Sequence, residues 1–271
     1  MLVESTRRWH GCAVVHSAEQ GWETLSDFVQ EGVRRGQRVM VGGLRLDQRT
    51  DLLRRISEDG PDPDELMADG RLMVMPEEAS LQLAALPAAD LTQMIADQVD
   101  QALADGHRGL RLGGIHPGVG IGPFEAALDE LIESVPLDVL CAYHRSALTF
   151  DELHTVRAVH TDEVPDDAEY DDGMLRITRP RQGWVRLAGR WERRNHEAAL
   201  KVVSDAAAAG HRNVDTSSLR YVDPVGLHAM LTGISGGLRL QRPNHLVQQL
   251  AGLLAKKPVA DATPAVADVA Q

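Results

Sequence analysis

From His10 to about His160 short apolar runs alternate with longer amphipathic stretches, and that alternation leaves few folds open. Strand-length runs fall at His10–Val15, Gln37–Gly42, Arg71–Met75, Arg108–Leu112 and Leu137–Tyr143, each followed by a helix-length segment such as Glu19–Arg35 or Leu91–Ala104. Strands alternating with helices predict a mostly parallel sheet covered by helices on both faces. The cuts coincide with turn and helix-stop signals at Gly42-Gly43, Asp59-Gly60-Pro61, Pro87, Asp105-Gly106 and Pro136. The fold class expected here is therefore α/β.

After this region the pattern changes. Residues 161–173 (TDEVPDDAEYDDG) carry seven acidic residues, a Pro and a Gly, with almost nothing to bury, and read as a solvated linker. Beyond them a smaller α/β unit is expected over residues 174–255. Met174–Thr178 and Trp184–Leu187 read as a hairpin, Asn195–Ala209 as a helix and Asn213–Asp215 as a strand. Pro224–Leu231 reads as a short helix, Gly237–Leu240 as a strand and His245–Ala255 as the last helix. Residues 256–271 are Ala, Val, Pro and Asp without periodicity and read as a disordered tail.

Composition excludes several classes. At 271 residues, 43% of them apolar, the chain can build two ordinary cores. With 40 acidic against 28 basic residues the net charge is −12, the wrong sign for tracking phosphates, so nucleic acid is not expected as a partner. Cys12 and Cys141 each lie inside an apolar run, which argues against a disulfide and for a reducing compartment. No signal peptide or membrane span is visible, and the expected location is the cytoplasm, without membrane attachment.

Local motifs add a resemblance to residues 9–160. Trp9-His10-Gly11-Cys12-Ala13-Val14-Val15, then Phe28–Gln37, Gly109-Leu110-Arg111-Leu112-Gly113, Phe124-Glu125 and Leu140-Cys141-Ala142-Tyr143, with His160 near the end, resemble the MEDS sensory domain. That family opens on His-x-Cys in its first strand. The resemblance implies a sensor of a small organic molecule on a RecA-like sheet without a P-loop. The chain departs from the family at Gly114, where an acidic residue is usual, at His144, where Asp is usual, and near Ser80, where its tyrosine is not evident. Residues 1–160 are taken as this domain.

Val214-Asp215-Thr216-Ser217-Ser218-Leu219-Arg220-Tyr221-Val222-Asp223-Pro224-Val225-Gly226-Leu227 resembles the signature of STAS domains, the fold of anti-sigma factor antagonists. Val185–Glu192 looks like that family's second strand and following loop, with Arg190 in place of Glu and Glu192 in place of Asp. The family carries a phosphorylated hydroxyl at the helix start, where this chain has Pro224 and Val225. The resemblance implies partner switching in transcription regulation, with an anti-sigma factor or related signalling protein as partner and its phosphorylation switch missing. The candidate partner face is Trp191, Asp223, Pro224, Val225, Gly226 and Leu227. Asp223 also reads simply as a helix cap, and Ser217 and Ser218 as polar loop residues just past a strand end.

A parallel α/β sheet binds ligands outside the carboxyl ends of its strands. Those ends hold His16, Gly42-Gly43, Glu77-Glu78, Gly113-Gly114-Ile115-His116 and Tyr143-His144, and any pocket is expected to be lined by them. Together with the motif residues, the candidate ligand-binding set is His10, Cys12, His16, Glu77, Glu78, His116, Glu125, Cys141, Tyr143 and His144. His10 and Cys12 point to one strand face, and Cys141-x-x-His144 has a spacing common at zinc sites. Yet His10 begins the first strand and His144 follows the end of the last, an offset of several residues or roughly 10–15 Å, at ~3.3 Å per residue. No metal is therefore expected, and the cysteines read as buried and small. Gly113–Gly122 reads as a plain glycine loop without the Lys-Ser/Thr of a P-loop. No cofactor is required. The leading expectation is a non-enzymatic cytoplasmic regulator whose ligand-occupied sensor changes the exposure of the partner face. The alternative is a thiol- or metal-dependent enzyme built on the N-terminal domain.

Overall fold

A computed structural model of the protein describes residues 9–116, 121–235 and 237–255, so the expected tail at 256–271 lies outside the described residues. Two compact units divide at Arg179/Pro180. The first holds β1 (His10–Val15), β2 (Arg38–Leu44), β3 (Leu72–Pro76), β4 (Leu110–His116), β5 (Leu137–His144) and β6 (Asp162–Glu163). They form one sheet in the order β3-β2-β4-β5-β1-β6, parallel throughout. Its helices are α1 (Ala18–Arg35), α2 (Leu46–Asp59), α3 (Pro63–Ala68), α4 (Glu77–Ala84), α5 (Ala88–Ala104), α6 (Ile121–Ser134) and α7 (Phe150–Val159).

The two-residue period of the strands sorts the core into two layers. Ala13 and Val15 of β1 face Trp22, Leu25 and Val29 of α1 and Leu52 and Ile56 of α2. Cys12 and Val14, with Cys141 and Tyr143 of β5, face Leu91 and Ile95 of α5, Leu128 of α6 and Val156 of α7. Both faces being covered, β1 is buried at all six positions, as a continuous apolar run demands. Helix ends follow local chemistry. Ser17 caps α1 by accepting from the Gln20 N–H at 3.1 Å, and Gly36 closes it with φ 73°. Thr149 and Glu152 form a capping box at α7, where the Glu152 N–H donates to Thr149 Oγ1 at 3.2 Å and the Thr149 N–H to Glu152 Oε2 at 2.8 Å.

Two sequence expectations change here. Gly113 and Gly114 belong to β4, which runs on to His116, and not to a glycine loop. A Cβ on Gly114 would stand 2.7 Å from the carbonyl oxygen of Gly42, so the glycine serves close strand packing. The acidic stretch is ordered as well. β6 pairs with Gly11 and Cys12, and the Thr161 hydroxyl donates to the His10 carbonyl at 2.8 Å. Further on, β7 (Tyr170–Asp171) pairs antiparallel with β8 (Leu175–Thr178), still within the first unit.

Arg176 explains why so many carboxylates can sit in that segment. Its guanidinium, 4% exposed, reaches Glu23 at 2.8 Å, Asp166 at 2.8 Å, Asp171 at 3.1 Å and Asp167 at 3.3 Å. Burial alone would lower its pKa, but the hydrogen bonds and charges of Glu23 and Asp166 raise it. The acidic run is thus tied to α1, from which Glu23 also meets the buried Arg55 at 3.1 Å.

The second unit contains β9 (Trp184–Trp191), α8 (His196–Ala208), β10 (Asn213–Asp215), β11 (Leu219–Val222), α9 (Pro224–Ser235), β12 (Arg239–Gln241) and α10 (His245–Ala255). β10 lies parallel to β9 along Trp184–Arg186, β11 along Gly189–Trp191, and β12 beside β10. With the antiparallel β7 and β8, the β-structure of the C-terminal region is mixed. Here β9 runs four residues beyond the expected Leu187. β10 ends at Asp215 as expected, but an unexpected strand, β11, continues along the same neighbour β9, so Ser217 and Ser218 occupy the interruption between β10 and β11. Asp215, fully buried, holds that interruption by accepting from the Ser217 hydroxyl at 2.7 Å, from Arg186 at 3.1 Å and from Arg242.

Removing the guanidinium in Arg176→Ala takes a charged hydrogen-bond donor from the half-buried Glu23 and Asp171, and the loss of stability by urea unfolding is expected to be about 1.5–3 kcal/mol. A loss below about 1 kcal/mol, the size of an exposed pair, would show that water replaces the arginine.

Candidate functional site

β1 and β5 are adjacent and in register, with His10 opposite Val139, Cys12 opposite Cys141 and Val15 opposite His144. His10, Cys12, Cys141 and Tyr143 therefore share one face of the sheet, the face covered by α6 and α7. On α6, Glu125 and Asp129 are spaced i, i+4 and so lie on one side of the helix. Past the last turn of α7, the His160 ring turns back and its Nδ1 meets the Val156 carbonyl at 2.7 Å.

These elements converge on Glu125, whose side chain has 0% exposure. Its Oε1 accepts from the Tyr143 hydroxyl at 2.5 Å. Its Oε2 lies 3.1 Å from His10 Nε2, 3.5 Å from Cys141 Sγ and 3.5 Å from His160 Nε2. Asp129 takes the other ring nitrogen of His10, Nδ1, at 2.6 Å. Burial would raise the Glu125 carboxyl, but the contacts with His10, His160 and Tyr143 outweigh it and hold the group well below the usual carboxylate range. Burial likewise would lower His10, and its contacts with Glu125 and Asp129 raise it instead. Both thiols move up: Cys12 to about 11 through burial and then the Glu163 charge, Cys141 well above its ordinary value through burial and Glu125.

Next to this cluster a cavity of about 460 Å³ opens toward the carboxyl ends of the strands. Its wall is mostly apolar, with Met40, Met75, Leu91, Met94, Ile95 and Leu128, and a few polar groups at Arg45, Gln48, Gln98 and His144. That volume and that mixture are typical of a small-molecule site. Gly43, with φ 76°, turns the end of β2 beside it, and its N–H is held by the Ser80 hydroxyl oxygen at 2.7 Å. A Cβ on Gly43 would stand 2.3 Å from the Ile115 carbonyl oxygen, so this rim accepts only glycine. Cys141 belongs to both features, lining the cavity and touching Glu125.

The structure brings His10, Glu125, Cys141 and Tyr143 of the sequence-derived set together behind the cavity wall, with Cys12 buried alongside in register with Cys141. The expected offset of several residues holds for His144, which stands opposite Val15, but not for Cys141, whose sulfur is 3.9 Å from His10 Nε2. It was the pairing register of β1 and β5 that the spacing argument lacked. Of the strand-end residues, Gly42, Gly43, Glu77, Gly113, Gly114, Ile115 and His144 line the cavity. His16 and Glu78 are exposed and stand apart from it, while Tyr143 points into the cluster. His116 ends β4 opposite Tyr143, and its side chain lies outside the described residues. Sequence reasoning missed Asp129 and His160 as site residues. The i, i+4 pairing of Glu125 with Asp129 was the available signal for the first.

In the second unit, Trp191 is fully buried, and Gly226 and Leu227 are buried too, so these three underlie the face they were assigned to. Pro224 and Val225 are exposed there. Asp223 caps α9, accepting from the Gly226 N–H at 2.7 Å.

The first unit is thus an α/β domain with an apolar cavity beside a buried polar cluster, and one known family matches it. The profile described as MEDS, "MEthanogen/methylotroph, DcmR Sensory domain", matches residues 9–161. The chain belongs to the MEDS family. A sensory domain of this kind points to a signalling or regulatory role. No curated protein matches the chain. Among the described residues no helix is long and apolar enough to cross a membrane.

Tyr143→Phe removes one donor to a buried carboxylate without opening a cavity, and urea unfolding is expected to show a loss of about 1.5–3 kcal/mol. An unchanged midpoint would mean that Glu125 does not depend on the tyrosine.

Proposed function

We propose that the protein is a non-enzymatic signalling regulator in which a small, largely apolar molecule bound in the cavity of the first unit is the input and a STAS-like second unit is the output. The observation that carries the reading is the 460 Å³ apolar cavity at the carboxyl ends of the strands of a sensory-family domain. Arg45, Gln48, Gln98 and His144 supply the polar groups that would orient a ligand with one polar end. A ligand shifts the output only by as much as its affinity differs between the output states.

For the output, the support is the start of α9. Val225 is 47% exposed and Tyr221, at the end of the preceding strand, 39%. An anti-sigma factor or related signalling protein is the proposed partner, and an apolar residue where STAS domains carry a phosphorylatable hydroxyl favours contact that phosphorylation does not gate. Such a regulator would work in the cytoplasm. The enzyme alternative is poorer: thiols raised as far as Cys12 and Cys141 are largely protonated at neutral pH, and a nucleophilic cysteine needs the thiolate.

Three measurements test this reading. Met94→Trp fills the cavity and is expected to weaken binding of the apolar fluorophore anilinonaphthalene sulfonate at least tenfold with the melting temperature retained; equal binding would place the fluorophore elsewhere and remove the cavity as input. Val225→Asp is expected to abolish capture of an anti-sigma factor by the full-length protein, and failure of the wild-type chain to capture any would remove the proposed output. Alkylation of Cys12 by iodoacetamide in the native, chelator-treated protein is expected to be about a hundredfold or more slower than in the unfolded chain. Fast alkylation would revive the enzyme reading.

A further inference from the structure

The cluster around Glu125 has more acceptors than donors. Nδ1 of His160 lies 2.7 Å from the Val156 carbonyl, which can only accept, so Nδ1 carries the hydrogen and Nε2 is bare. That bare nitrogen is fully buried, has no hydrogen-bond partner, and points at Glu125 Oε2 across 3.5 Å. His10 differs in being paired at both nitrogens: Asp129 Oδ1 accepts from its Nδ1 at 2.6 Å, and its Nε2 meets the same Glu125 oxygen at 3.1 Å, a contact an ion could take over. Two imidazole nitrogens and a carboxylate oxygen thus face one another, with a thiol sulfur as the fourth neighbour. Buried polar atoms are normally paired, and the His160 nitrogen in this set is not.

From these contacts we propose that His10, Glu125, Cys141 and His160 form a binding site for one divalent transition-metal ion of the zinc class. The four donor atoms all lie within 4.8 Å of one another, and all four residues are buried. Tetrahedral zinc, with bonds of about 2.0–2.3 Å, needs donors about 3.3–3.8 Å apart. The separations here are 3.1 Å for His10–Glu125, 3.5 Å for Cys141–Glu125, 3.5 Å for His160–Glu125 and 3.9 Å for His10–Cys141. Small side-chain adjustments bring these four pairs into that range, and the other two pairs lie within 4.8 Å.

The outer contacts are those a metal site requires. Metal-binding histidines hand their second N–H to a carboxylate or a backbone carbonyl, as His10 does to Asp129 and His160 to Val156. The non-ligating oxygen of Glu125 is held by Tyr143 at 2.5 Å, which leaves Oε2 for the ion. A set of two nitrogens, one oxygen and one sulfur suits zinc and its cobalt substitute, not calcium or magnesium, which take oxygen alone. Four protein ligands leave no open position, the mark of a structural or regulatory site and not of a hydrolytic one. The ion would join β1, β5, α6 and the end of α7, and through Cys141 it would touch the wall of the cavity.

The site goes beyond the sensory reading and is tested apart from it. Full-length protein purified without chelator is expected to contain about one equivalent of zinc by elemental analysis. Stripped protein given Co²⁺ is expected to develop the intense ligand-field bands of four-coordinate cobalt and a thiolate-to-cobalt charge-transfer band. Cys141→Ser should lose the charge-transfer band and Cys12→Ser should keep it, while Glu125→Gln and His160→Ala should each weaken cobalt binding at least tenfold. Added zinc should raise the melting temperature of the wild type and not of Glu125→Gln. Should a variant fail to fold, the wild-type cobalt spectrum decides alone. Absence of bound zinc together with a weak, six-coordinate cobalt spectrum overturns the proposal, as does loss of the charge-transfer band in Cys12→Ser and not in Cys141→Ser. Neither result bears on fluorophore binding or partner capture, so a failure here is distinct from a failure of the sensory reading.

Discussion

A carboxylate with no exposure at all has to be answered by its surroundings, and Glu125 organises the first unit through that demand. Taking an ionised carboxyl out of water costs several kcal/mol unless hydrogen bonds and opposite charge return it. The return comes from three places in the fold: Tyr143 and Cys141 on β5, His10 on β1 and His160 after α7. Each histidine is fixed in turn by something else, His10 by Asp129 and His160 by the Val156 carbonyl. The packing of α6 and α7 over the centre of the sheet is therefore specified by polar contacts as well as by the apolar layer around Leu128 and Val156.

A second buried charge plays the same part at the edge of that unit. Arg176 gathers Glu23, Asp166, Asp167 and Asp171, so a stretch that composition alone marks as solvated becomes a folded border of the domain. Between the two polar centres the sheet is apolar on both faces, and Gly42, Gly43, Gly113 and Gly114 line the cavity at the strand ends. The function proposed for the chain depends on this placement: an apolar chamber whose wall includes one member, Cys141, of a buried cluster of ligating groups.

Much of the first unit was legible because its strands are buried on both sides. β1 reads as His10–Val15 both in the apolar pattern and in the structure, and β5 differs by one residue. Where local pattern misled, a specific long-range contact was the cause. β4 looked shorter because Gly113 and Gly114 resemble a loop in sequence, whereas they are glycine to let β2 and β4 approach. β11 went unseen because Thr216-Ser217-Ser218 carries turn composition, yet Asp215 and its arginine partners hold those residues between β10 and β11.

By itself the sequence determined the alternating α/β plan, the family of the first domain and the residue types from which a site could be built, since hydrophobic period and short motifs are local properties of the chain. Only the tertiary structure decided which of those residues meet. Pairing β1 with β5 in register set Cys12 beside Cys141 and left His144 five residues away from His10. The docking of α6 and α7 then brought Glu125, Asp129 and His160 over that face from positions more than a hundred residues along the chain from His10. Strand register and helix docking are fixed by the sum of many weak contacts across the whole core, and no single stretch of sequence carries that sum.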